Sequence, residues 1–146
     1  MSIPFLVKDI FPGGYSSGPG SLTALGSTLF FRASDGVNGR ELWKSDGTAA
    51  GTVLVKNIRP GSSNSDPRYL TAVGSTLFFS AFDGVNGEEL WKSDGTAAGT
   101  VLVKDIRPGS YTSSSNPRYL TALGSTLFFT ADDGFNSTYG GELWKS

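Results

Sequence analysis

"RYLTAVGSTLFFSAFDGVNGEELWKSDGTAAGTVLVKDI", Arg68–Ile106, holds four β-rich runs separated by turn chemistry. Arg68–Val73 reads as a first strand, and Gly74-Ser75 turns the chain. Thr76–Phe82 is a second strand, apolar on both faces: Leu77, Phe79 and Ala81 alternate with Phe78, Ser80 and Phe82. Aromatic residues on both sides of one strand call for cover on both sides. The Asp83–Gly87 turn is rich in residues that tolerate positive φ. Glu88–Ser93 is a third strand, Asp94–Gly99 a second such turn, and Thr100–Ile106 a fourth strand. No segment sustains a 3.6-residue hydrophobic period, so the chain is read as all-β.

This unit recurs. "ELWKSDGTAAGTVLVK" stands at Glu41–Lys56 and again, letter for letter, at Glu89–Lys104; "ELWKS" returns at Glu142–Ser146. "LTALGSTLFF" at Leu22–Phe31 is echoed at Leu70–Phe79 and Leu120–Phe129. Stacked four-stranded units of about 40 to 50 residues describe β-propeller blades, whereas parallel solenoids use shorter repeats with fewer strands. With strands labelled a to d from the axis outward, the chain reads d, abcd, abcd, abc. Its parts are 1–20 (outer strand and linker), 21–68 (blade 1), 69–118 (blade 2) and 119–146 (strands a to c of blade 3).

The leading "FLVKDI", Phe5–Ile10, copies the fourth strand, and the trailing "ELWKS" lacks one beside it. Pairing the two would stitch a ring shut and remove an exposed sheet edge. The expected closure residues are Phe5, Leu6, Val7 and Ile10 on one side, Leu143 and Trp144 on the other. Three blades are too few for a ring, since propellers have about four to eight. The expectation is therefore head-to-tail association of copies: three blades per chain, with the ring completed by homo-oligomerisation. A homodimer has six blades and a homotrimer nine.

Composition excludes several function classes. Net charge is −1 and the isoelectric point about 5.3, without the basic footprint a nucleic acid needs. No apolar run approaches the roughly 20 residues that cross a bilayer as a helix. The start, "MSIPFLVKDI", does not read as a secretory leader. The sequence contains neither Cys nor His, which removes thiolate chemistry and the commonest general base and zinc ligand.

At "ELWKSDGTAAGTVLVKDIRPG", Glu89–Gly109, the repeat resembles the ELW-SDGT-GT units that occur in tandem in large bacterial proteins and are described as hyalin-like or propeller repeats. The resemblance covers essentially the whole chain; only "PGGYSSGPGSLTALG", Pro12–Gly26, departs in its linker. It implies a symmetric propeller amplified from one blade, usually part of a longer secreted or surface chain, with no assigned chemistry or cofactor. Such repeats build propellers of unusually many blades, which favours the nine-bladed homotrimer over the six-bladed homodimer. The near-identical copies also suit an excised or engineered fragment.

Length differences between units point to where ligands would bind. Arg59–Tyr69 becomes the longer Arg107–Tyr119 between strands d and a, and Asp83–Trp91 becomes the longer Asp133–Trp144 between b and c. Both connections lie at one end of a four-stranded meander, and loop variation is where binding residues concentrate. The ligand candidates at that end are Tyr111, Tyr139, Asn136, Arg68 and Arg118, with neutral drift of surface loops as the competing reading. Asp46 and Asp94 open the "SDGT" turns. One Asp per turn is too few for calcium, which takes six to eight oxygens, so they are read as structural and no metal is expected. Trp43, Trp91 and Trp144 are read as packing residues rather than sugar platforms. Catalysis is not expected: the carboxylates near Asp83, Glu88 and Glu89 recur from unit to unit, whereas acid and base roles need groups in different environments.

Overall fold

A computed structural model describes residues 3–135 and 141–146. Its strands are β1 (Gly20–Leu25), β2 (Thr28–Ser34), β3 (Arg40–Ser45), β4 (Val53–Lys56), β5 (Arg68–Val73), β6 (Thr76–Phe82), β7 (Glu88–Ser93), β8 (Val101–Lys104), β9 (Arg118–Leu123), β10 (Thr126–Ala131) and β11 (Glu142–Lys145). The described residues contain no helix. They form three antiparallel meanders: β1-β2-β3-β4, β5-β6-β7-β8 and β9-β10-β11.

Side-chain alternation packs the middle sheet on both neighbours. Leu77, Phe79 and Ala81 of β6, with Trp91 of β7, meet Phe30, Leu42, Val55 and Ile58 of the first sheet and the segment after it. Phe78 and Leu90, pointing the other way, join Leu127, Phe129 and Ala131 of β10. Phe79 and Leu77 are fully buried, and burial of each such side chain stabilises the fold by about 1.5–3 kcal/mol. A third cluster lies on the far face of the first sheet, where Phe31, Ala33 and Trp43 are covered in part by Ile10.

Each inner strand carries an irregularity next to its first residue. Tyr69 has φ 57° and Tyr119 φ 55°, and pairing slips between Arg68 and Thr71 against β6 and between Arg118 and Thr121 against β10. The slip is bulge-like and bends the strand at the end where the connection from the previous sheet arrives.

The outer strands differ from the expectation. β8 spans Val101–Lys104 rather than Thr100–Ile106, because the backbone leaves the ladder to aim the Ile106 N–H at Glu89. Residues 5–10 form no strand; they lie beside the first sheet, across a groove from Leu22, Leu29 and Phe31, and pair with none of its strands.

Candidate functional site

Two places carry the chemistry: the loop end of the sheets, and the open edges at either side of the row. At the loop end, connections between sheets fold back over strand ends. The Phe82 N–H donates to the Ser65 carbonyl at 2.9 Å, and the Asp132 N–H to that of Ser115 at 2.8 Å. Arg40 pairs with Asp66 at 2.7 Å, Arg118 with Glu88 at 2.8 Å, and Arg107 with Asp132 at 2.7 Å. Ser80 Oγ also donates to Glu88. A cleft of about 290 Å³ is lined by Arg59, Asp66, Arg68, Phe82 and Glu88 among others.

The sequence candidates sort unevenly here. Arg68 lies in this cleft, 3.9 Å from Asp66. Arg118 lies in a neighbouring one of about 480 Å³ with Tyr69 and Tyr119, its guanidinium 5.0 Å from the centre of the Tyr69 ring. Tyr111 is exposed and lines neither. Asn136 and Tyr139 lie outside the described residues. Both arginines are engaged by carboxylates of the protein.

At the opposite end, Asp46 Oδ1 accepts the Thr48 N–H at 2.9 Å and Thr48 Oγ1 at 2.7 Å; Asp94 does the same with Thr96. The hydrogen bond from the threonine hydroxyl, then the one from its N–H, holds each carboxyl below its ordinary value. The turn carbonyls receive lysines from the preceding sheet: Lys44 Nζ reaches Gly95 O at 2.7 Å and Lys56 Nζ reaches Thr100 O at 2.8 Å.

The carboxylates near Asp83 divide into separate environments. Asp83 accepts the N–H groups of Val85 and Asn86 within its own turn. Glu88 faces Arg118, while Glu89 turns inward and is fully buried, as is its counterpart Glu41. Glu41 accepts hydrogen bonds from Ile58 N–H at 2.8 Å, Ser65 N–H at 3.1 Å and Ser65 Oγ at 2.5 Å. Glu89 accepts from Ile106 N–H and Ser115 N–H, both at 3.0 Å, and from Ser115 Oγ at 2.5 Å. Burial pushes the Glu41 carboxyl up to about 7 against the pull of these donors, and raises Glu89 in the same direction. Sequence reasoning missed this pair of anchors. The available signal was the Glu set directly before the apolar Leu-Trp in every unit.

The open edges lie on the first and third sheets. β11 pairs only with β10, and Leu143 is 73% exposed where Leu42 and Leu90 are buried. Trp144 is half-buried, its indole N–H donating to Ala131 O at 3.0 Å, whereas Trp43 and Trp91 are buried. On the first sheet, Phe5, Leu6 and Val7 are exposed, while Ile10 turns partly toward the sheet. A groove of about 260 Å³ separates this segment from Leu22, Leu29 and Phe31. Lys8 Nζ donates to Thr52 O at 2.7 Å, the contact Lys56 makes with Thr100. The structure thus places Phe5, Leu6, Val7 and Ile10 together at one edge and Leu143 and Trp144 together at the other, without joining the two. Comparison with protein-family profiles, with curated proteins and with solved structures gives no match.

Proposed function

We propose that the chain is a structural assembly module without catalytic activity: three blades of a β-propeller whose ring closes between copies. Residues 5–10 of one copy act as the missing fourth strand of β11 in the next. The reading rests above all on the Lys8–Thr52 contact, which holds this segment beside the first sheet as Lys56–Thr100 holds β4 beside the second. The register follows from β3 and β4, where Leu42 faces Lys56, Trp43 faces Leu54 and Lys44 faces Val53. Leu143 then faces Lys8, Trp144 faces Leu6 and Lys145 faces Phe5 across the junction. Apolar surface supports it too: Leu22 on the first sheet and Leu123 and Leu143 on the third are exposed, where packed sheets bury their counterparts more deeply.

Three copies make nine blades and two make six; the resemblance to many-bladed repeats favours three. Native mass spectrometry tests the proposal. A mass of three chains of 15.4 kDa is expected, two chains would select the six-bladed ring, and a single chain at every concentration would overturn assembly.

A second reading is a lectin-like or other ligand-binding propeller that uses the loop end or a central channel, and the Arg59–Arg68–Glu88 cleft favours the loop end. A glycan array on the purified protein separates the two.

A further inference from the structure

Each buried carboxylate does more than close its own sheet. Ser65 lies in the connection that leaves the first sheet and enters the second. Its N–H and Oγ donate to Glu41 of the first sheet, and its carbonyl accepts from Phe82 of the second. Ser115 joins Glu89 to Asp132 of the third sheet in the same way. One serine thus ties the first sheet to the second and another the second to the third, each helped by an isoleucine N–H just beyond the fourth strand.

Both halves of this device recur, unassembled, at the open edges. The donor half is on the first sheet. Ser34 N–H donates to Ser17 O at 2.9 Å, which puts Ser17 where Ser65 and Ser115 sit on their sheets. Ile10 precedes Ser17 by seven residues, as Ile58 precedes Ser65, and it packs on Phe31, Ala33 and Trp43. The left-handed residue that follows is also preserved: Gly18 has φ 55°, Asp66 and Asn116 φ 48°. Among the described residues no carboxylate reaches Ile10 or Ser17. The acceptor half is on β11. Glu142 faces Ala131 across the ladder, as Glu41 faces Ala33 and Glu89 faces Ala81. Glu142 is exposed, whereas Glu41 and Glu89 are 0% exposed.

We infer that Glu142 is the third member of this set, and that a second copy of the chain supplies its donors: the Ile10 N–H, the Ser17 N–H and the Ser17 Oγ–H. The inference rests on the proposed assembly and adds its polar lock. The occupant is another copy because the first and third sheets each pack on the middle one and, among the described residues, share no hydrogen bond. Apolar strand pairing alone would tolerate slippage. A carboxylate that must find two N–H groups and one hydroxyl fixes the register, since leaving it buried without them carries the full desolvation penalty.

The test uses the full chain and its Glu142→Ala and Ser17→Ala variants, singly and combined. Assembly is followed by sedimentation over a concentration series, and amide exchange is read at Ile10. In the wild-type assembly, Ile10 N–H is expected to be protected to a degree similar to Ile58 and Ile106. Glu142→Ala is expected to weaken assembly about tenfold to a hundredfold and to release the Ile10 amide. The double variant is expected to be no weaker than Glu142→Ala alone, because both remove one interaction. Wild-type chain that sediments as a single copy overturns the assembly proposal. Wild-type chain that assembles while Glu142→Ala assembles equally tightly, with Ile10 still protected, overturns the lock alone. Should Glu142→Ala fail to fold, an unprotected Ile10 amide in assembled wild-type protein still overturns the lock, and a protected one supports it.

Discussion

Lys8 reaches across to the carbonyl of Thr52 at 2.7 Å, making for the first sheet the contact that Lys56 makes for the second through Thr100. A segment with no strand hydrogen bonds of its own is held beside the sheet by one ammonium group and by Ile10. Replacing Lys8 with Met keeps the aliphatic stem and removes the donor. The expected result is faster proteolysis within residues 3–11 and a loss of about 1 kcal/mol, read by limited digestion and urea unfolding. Deleting residues 1–10 is expected to abolish the oligomer.

The junction register is open to a covalent test, since the chain has no native cysteine. In the proposed assembly, the pairing of Lys44 with Val53 maps onto Lys145 and Phe5 of successive copies. The Phe5→Cys/Lys145→Cys double variant is expected to give disulfide-linked multimers under mild oxidation, seen as a ladder on non-reducing gels. Each single variant should give no more than dimers. A double variant that stays a single chain on the gel while sedimenting as an oligomer would show that the register is wrong.

Glu41 sits between an apolar sheet and a ring of donors. Glu41→Ala leaves the N–H groups of Ile58 and Ser65 buried without an acceptor, and about 2–3 kcal/mol of stability is expected to be lost in urea titration.

The same carboxyl sets a pH dependence. Its folded value, about 7, lies above its ordinary 4.5, so the folded state holds the proton more tightly than the unfolded state does. The stability it confers is fully present below pH 4.5 and is lost as pH rises through 7. Glu89 is shifted in the same direction. Asp46 and Asp94 are lowered from 3.8, so their contribution is present above that value and is lost only in stronger acid. The urea midpoint is therefore expected to fall between about pH 4.5 and 7 and then level off. Glu41→Gln should flatten the fall.

Gly87 has φ +80°, and a Cβ there would lie 2.1 Å from the Ser113 carbonyl oxygen. Gly87→Ala combines a left-handed backbone with a clash against main chain. It is expected to destabilise by more than about 2 kcal/mol in thermal or urea unfolding.

The inner three strands were legible in the sequence because turn chemistry brackets them. Arg68–Val73, Thr76–Phe82 and Glu88–Ser93 end where Gly74-Ser75, Asp83–Gly87 and Asp94–Gly99 begin, and the structure keeps those bounds. The fourth strand was not, because Ile106 extends its apolar pattern while the Ile106 N–H serves Glu89 instead of a ladder. Residues 5–10 have the letters of a strand, but they lie against the first sheet across a groove from Leu22, Leu29 and Phe31 and pair with none of its strands, so no ladder forms. At the loop end, residue type and position singled out Arg68 and Arg118. The Arg118 partner, Glu88, comes from another sheet 30 residues away, which no local pattern reveals, whereas the Arg68 partner, Asp66, stands just before it in the connection. The anchoring role of Glu41 and Glu89 escaped notice because their donors lie 17 to 26 residues away.

Lys44, Lys56 and Thr23 of the first sheet reach backbone carbonyls of the second, and Thr71 of the second reaches Leu120 O of the third. A carbonyl is the same on every residue, so these links do not distinguish one unit from another. Gene duplication could add or remove a whole unit without disturbing them, because any neighbour offers the same footholds. In a closed ring of the kind proposed, the number of units would then be left to the angle between successive sheets, a matter of side-chain bulk in the apolar wedges rather than of which polar partners happen to meet.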